Sequence, residues 1–196
     1  MELYKSKFRI KSSRLAGYDY SEPNWYYVTI NTRDHIHYFG KIVNEKMVLN
    51  DIGLIAEKQW LEIPIHYPIA ELDEVVIMSN HVHGIIIITE KQVVRKIDDI
   101  DEGNFVETGQ CPVSTPANAQ RHDSGHNPSL ANIVGSYKSA VTNNIHKLRN
   151  TDFEWQTRYY DRIIRNEKEL YYIRKYIQEN PLKWAFENES TENLDI

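Results

Sequence analysis

Apolar and polar positions along this chain follow two alternating periods, one close to two and one between three and four. Trp25-Tyr26-Tyr27-Val28-Thr29-Ile30 is aromatic and β-branched, which suits a half-buried pleated surface and predicts a strand. Thr32-Arg33-Asp34 reads as a turn into a second strand from about Ile36 to Val43, and Asn44-Glu45-Lys46 turns the chain again. Asn50 is placed to cap a helix to about Glu62, with Ile52, Ile55, Gln59 and Leu61 to Ile63 bracketing its buried face and Pro64 stopping it. Ala70 to Met78 and His81 to Ile88 read as two strands joined tightly at Ser79-Asn80, a hairpin.

Lys91 to Pro128 breaks the pattern. It gathers glycine, proline, serine and aspartate without a sustained period, and predicts a flexible insertion. Ser129 then opens a helix with Leu130, Ile133, Val134, Tyr137, Val141, Ile145 and Leu148 at steps of three and four. Phe153 to Ile164 reads as an aromatic, basic connector. A last helix begins at Asn166, with Glu169 completing a capping box, and ends before Pro181. Strands joined by a hairpin, with helices returning to one face, predict an α+β sandwich built on a largely antiparallel sheet. The chain divides into one domain over residues 1–184, with the insertion at about 91–128, and an acidic tail over 185–196.

Composition narrows the class. A chain of 196 residues that is 41% apolar and 26% charged can bury a proper core. No segment is apolar for the length of a membrane span, and Met1-Glu2-Leu3-Tyr4-Lys5 lacks the apolar centre of a signal peptide. The single Cys111 excludes a disulfide framework and a thiolate zinc site, so a reducing, cytoplasmic setting is expected. The net charge of −5 is unevenly spread. Acidic residues crowd into the insertion and the tail. Lys7, Arg9, Lys11 and Arg14 make the start basic, and Lys138, Arg158, Arg162 and Arg165 enrich the last third, a distribution compatible with phosphate binding.

Two features carry chemistry. His81 and His83 stand two apart in the apolar run Met78 to Ile88, so they share a face, with Val82, Ile85 and Ile87 expected on the other. Buried imidazoles need partners: either hydrogen bonds near a strand end or a divalent cation. On the last helix, Leu170, Ile173 and Ile177 form an apolar stripe, and Tyr172, Tyr176 and Asn180 follow one another at steps of four beside it. Tyrosines at the edge of a stripe commonly only pack. An asparagine oxygen, however, can complete a hard-cation site that two imidazoles begin, and a phenol one turn away could attack a phosphate there.

The combination of His81-Val82-His83, Trp155-Gln156, Tyr159-Tyr160-Asp161-Arg162-Ile163-Ile164-Arg165-Asn166 and Tyr176-Ile177-Gln178-Glu179-Asn180-Pro181 resembles the single-tyrosine HUH transposases. The branch it is most similar to is the REP-associated tyrosine transposases, over about residues 8–90 and 129–184. The resemblance implies a ferredoxin-like two-layer sandwich and an endonuclease and strand transferase acting on single-stranded, hairpin-bearing DNA. It implies Tyr176 as nucleophile, joined to DNA as a 5′-phosphotyrosine, and His81, His83 and Asn180 as ligands of Mg²⁺ or Mn²⁺. Lys7, Arg9, Lys11, Arg14, Lys138, Arg158, Arg162 and Arg165 are the candidate DNA contacts. Monomer and homodimer stay open. The chain departs from the family pattern at Ser79, where relatives commonly carry proline, and at Arg162, often histidine.

Other readings remain beside this one. The scaffold could bind nucleic acid without catalysis, or a metal-dependent nuclease could use water while Tyr176 merely packs. His35-Ile36-His37 repeats the spacing of the first pair but follows a polar turn, and is expected at an exposed strand end. His122 and His126 read as solvated loop residues. Asp73 and Glu74 are expected to face solvent.

Overall fold

The computed structural model describes residues 15, 17–90, 127–148 and 152–192, the last six by backbone alone, together with the backbone of β1 (Leu3–Tyr4) and β2 (Lys7–Phe8). β3 (Asn24–Asn31) is followed by a 3₁₀ turn at Arg33–His35, the hairpin of β4 (Gly40–Val43) and β5 (Lys46–Leu49), α1 (Asp51–Leu61) and the short α2 (Ile63–His66). Then come β6 (Ala70–Ile77), β7 (His81–Ile88), α3 (Leu130–Lys147), β8 (Tyr160–Ile164) and α4 (Glu167–Glu192). The central sheet runs β6-β7-β3-β8 with every neighbour antiparallel. With α1 between β3 and β6, and α3 between β7 and β8, this is a β-α-β-β-α-β sandwich, the ferredoxin-like fold that the resemblance implied.

The caps act as read. Asn50 accepts from the Gly53 N–H at 2.9 Å, and Ser129 and Asn132 form a reciprocal capping box on α3. Unbroken alternation along β7 sends Val82, Ile86 and Ile88 to a core with Tyr26, Val28, Ile30, Trp60 of α1 and Ile133, Val134 and Val141 of α3. Ile85 and Ile87 instead share the face of His81 and His83, contrary to expectation. There Ile85 packs with Tyr27, Ile164, Leu170 and Ile177, so α4 covers this second face.

Three further expectations are corrected. The stretch 153–164 is not wholly a connector, because Tyr160–Ile164 pairs antiparallel with Trp25–Thr29 as an edge strand. Of the second strand only Gly40–Val43 is regular, since Asp34 and His35 take positive φ (52° and 55°) and turn the chain before it. α1 ends at Leu61, next to the expected Glu62, and Pro64 then opens the short α2, where its missing N–H has no intrahelical role. Pro181 does not end the last helix: α4 runs through it to Glu192. Beyond the proline, Trp184 packs on His81 and His37, and Lys183 pairs with Glu179 at 3.3 Å, contacts that hold the helix across the lost backbone bond.

Asp73 and Glu74 sit where the β6–β7 register shifts. Neither faces solvent freely: Asp73 takes two donors from Arg174 of α4 at 2.5 and 3.0 Å, and Glu74 accepts from Gln178 at 2.8 Å. The bulge thereby ties α4 to the sheet. Residues 91–126 and the insertion expected there, with His122 and His126, lie outside the described residues.

Candidate active site

His81 and His83 face α4 from β7 and are only 6% and 5% exposed, so each ring nitrogen needs a partner. Asn80 serves His81. Its Nδ2 donates to the His35 carbonyl at 3.0 Å, which aims its Oδ1 at His81 Nδ1, 2.7 Å away. His81 Nδ1–H therefore donates, and the Nε2 lone pair is left for something else. His83 Nδ1 is held by Tyr27 Oη at 2.7 Å and Thr29 Oγ1 at 2.9 Å, both from β3, whose Thr29 is the cross-strand partner of His83. The two imidazole centroids are 4.5 Å apart.

Burial keeps both rings neutral. It pushes the His81 pKa down to about 4, against an opposing pull from the nearby Asn180 side chain and with further lowering by His35 and His37. Burial, then His81, pushes His83 down to about 3. Neutral imidazole is the form that binds a cation, and outer hydrogen bonds on Nδ1 are what orient such ligands.

α4 brings the rest. The Tyr176 ring is edge-on to His83 at 5.3 Å and to Tyr27 at 6.4 Å, and its side chain remains 40% exposed. Lys183 Nζ lies 5.3 Å from the centre of that ring. Asn180, one turn further, is 6% exposed and its Oδ1 has no hydrogen bond of sound geometry. An orphaned buried carbonyl oxygen beside two neutral imidazoles is costly as it stands and suits a divalent cation. Among the described residues no three His, Cys, Asp or Glu cluster, so such a cation would rest on two imidazoles and one amide, with positions left for water or phosphate.

Sequence reasoning missed Trp184, whose ring lies 5.4 Å from His81 and 6.0 Å from His37. The signal was present, since Tyr172, Tyr176, Asn180 and Trp184 continue the same step of four across Pro181. It also missed Tyr27 and Thr29, legible only as every second residue of a strand. His35 and His37 are exposed, as expected, but lie in the turn before β4 rather than on a strand end; His35 serves the site through its carbonyl.

The candidate DNA contacts scatter. The side chains of Lys7, Arg9, Lys11 and Arg14 lie outside the described residues. Lys138 is half-buried and donates to the carbonyls of Gln156 at 2.7 Å and Thr157 at 3.3 Å, pinning that segment to α3. Arg158 and Arg165 are exposed, and Arg162 pairs with Glu169 at 2.5 Å while 57% of its side chain stays accessible. Glu169 also accepts from the Arg165 N–H at 3.0 Å, where a capping box on Asn166 was expected; Asn166 Oδ1 still caps the Glu169 N–H.

No family model matches the chain. An uncharacterized protein of Haemophilus influenzae is 35% identical over 175 residues, covering 89% of each chain. The two belong to one family. Among solved structures, a REP-associated tyrosine transposase bound to a REP hairpin superposes with a TM-score of 0.52 at 16% identity, over 89% of this chain and 74% of that one. That likeness establishes the fold shared with the transposase for this family member. No helix among the described residues is long and apolar enough to cross a membrane.

Proposed function

We propose that the chain is a single-tyrosine HUH transposase-like enzyme, cutting and rejoining single-stranded DNA beside a hairpin. One observation supports this above the others: a half-exposed phenol, Tyr176, stands one helical turn from a buried, unpaired amide oxygen and edge-on to one of two neutral imidazoles. A purely structural cluster would satisfy Asn180 Oδ1 internally.

In this reading Tyr176 Oη attacks a DNA phosphorus in line with the O3′ leaving group. The O–P bond to tyrosine forms and the P–O3′ bond breaks; the phenol proton passes to water, and water returns a proton to the departing O3′, which leaves as the 3′-hydroxyl. The 5′-phosphotyrosine keeps the phosphodiester energy, so a second 3′-hydroxyl reverses the step on another strand. His81, His83 and Asn180 would hold Mg²⁺ or Mn²⁺, which when bound supplies positive charge to offset the negative charge that builds on the attacked phosphate. Tyr27, Thr29 and Asn80 keep the imidazoles aimed, and Trp184 covers the His81 side of the site.

The test is incubation of the full chain with Mn²⁺ and end-labelled single-stranded DNA hairpins taken from the flanks of its own gene. A labelled band that resists denaturation and is lost with Tyr176→Phe, but kept with Tyr172→Phe, is expected. Cleavage by Tyr176→Phe without an adduct would replace the tyrosine nucleophile with water, and absence of both cleavage and adduct in the native chain would leave a non-catalytic scaffold.

A further inference from the structure

Two clefts adjoin along the β8 edge and share a wall made by Arg162 and Glu169. One, of about 300 Å³, is lined by Tyr172, Lys168 and Ile173; the other, of about 270 Å³, by Tyr160 and Arg165. Cross-strand register sets their position. Thr29 is paired on one side with His83 and on the other with Tyr160, so Tyr160 shares the face of His83 one strand further out. Its ring meets Tyr27 at 6.3 Å, and Tyr27 in turn meets Tyr176. Tyr172 lies one turn before Tyr176 on α4. A track thus leads from Tyr176 past Tyr160 and Arg162 to Tyr172.

Both track tyrosines are unusually open, Tyr160 at 46% and Tyr172 at 58% exposed. Neither hydroxyl is needed by the described core, and the rings border solvent between cations. Arg162, Arg165 and Lys168 stand against two carboxylates, Glu169 and the buried Asp161, so positive charge predominates along the track on a chain whose total charge is −5. Exposed aromatic faces alternating with positive charge match the alternation of bases and phosphates in an unpaired strand. A duplex would hide the base faces these rings could use, and an acidic peptide would have no use for them.

Resting on the activity proposed above, we infer that this β8–α4 track binds the single-stranded DNA segment next to the reacting phosphate, with bases stacked on Tyr160 and Tyr172 and backbone phosphates on Arg162 and Lys168. Binding there is tolerant of sequence, because every base offers a π-face.

Fluorescence anisotropy of the full chain with a labelled twelve-residue oligothymidine, in EDTA so that no cutting occurs, tests this. Tyr160→Leu and Tyr172→Leu should each weaken binding about tenfold and together about a hundredfold. Tyr160→Phe and Tyr172→Phe should bind as the native chain does, and Phe186→Leu, an equally exposed ring further along α4, should have no effect. Arg162→Gln should reduce the slope of log affinity on log salt by about 0.7. Unchanged affinity in the double leucine variant, equal loss from the phenylalanine or Phe186 variants, or no oligothymidine binding by the native chain overturns the track. Those results leave the proposed activity standing if the covalent adduct still forms, whereas an adduct-free chain that binds oligothymidine through these rings retains the track and loses the enzyme.

Discussion

Trp60 lies directly over Gly84: a Cβ built on Gly84 would sit 2.3 Å from Cζ2 and 2.7 Å from Cη2 of the indole. The indole is fully buried between α1 and the sheet, so it has little room to withdraw. Glycine here is demanded by packing, immediately after His83. Gly84→Ala should therefore destabilise the fold by about 1–3 kcal/mol through overpacking. Gly135→Ala, in α3 with open space around it, should stabilise it by a few tenths to about 1 kcal/mol. Urea unfolding of both variants checks the pair; equal effects would mean that the Trp60 contact is easily relieved.

Stability of the metal-free protein should depend on pH between about 6.5 and 4. Folded His81 and His83 refuse protons until about pH 4 and pH 3, while the unfolded chain takes them up below about 6.5. The unfolded state binds more protons in that window, so stability is full above it and falls as the solution is acidified. Each histidine contributes a slope of up to about 1.4 kcal/mol per pH unit. Urea midpoints measured in EDTA from pH 7.5 to 5 should fall for the native chain and fall less for His83→Asn.

Asp73→Ala should loosen α4 more than it lowers global stability. Arg174 is partly exposed, so the pair is screened and its loss should cost only about 1 kcal/mol. Arg174 would lose the carboxylate of the sheet to which it donates, and amide exchange along residues 170–180 should accelerate while that of α3 is unchanged. Uniform acceleration would show that the bulge does not act on α4 selectively.

Mn²⁺ affinity, measured by calorimetry without DNA, should separate the two histidine pairs. His81→Ala and His83→Ala should abolish binding. Tyr27→Phe, which removes one partner of His83 Nδ1, should weaken it about tenfold. His35→Ala should leave it nearly intact, because the contribution of His35 is a backbone carbonyl that alanine keeps. Equal losses from His35→Ala and His81→Ala would show the pairs to be equivalent.

Much of the fold was legible because its signals are local. Alternation along β3 and β7, the caps at Asn50 and Ser129, and the periodicity of α3 are settled by residues within a few positions of one another. The chemistry-bearing residue types and their spacing, His81 with His83 and Tyr176 with Asn180, were equally visible. β8 was not. Tyr160–Ile164 is short and charged, and it becomes a strand only because β3 offers it a free edge. α4 beyond Pro181 likewise depends on Trp184 finding His81 and His37. The sequence by itself determined most of the elements, β3, β6, β7, α1 and α3 among them, since propensity, capping and period act along the chain. Only the tertiary structure decided that α4 lies across the histidine face of the sheet, bringing Tyr176 to 5.3 Å from His83 and leaving Asn180 Oδ1 buried without a hydrogen bond. That placement comes from non-local packing of Ile177 and Leu170 on Ile85 and from the Asp73–Arg174 pair, interactions with no trace in any local window.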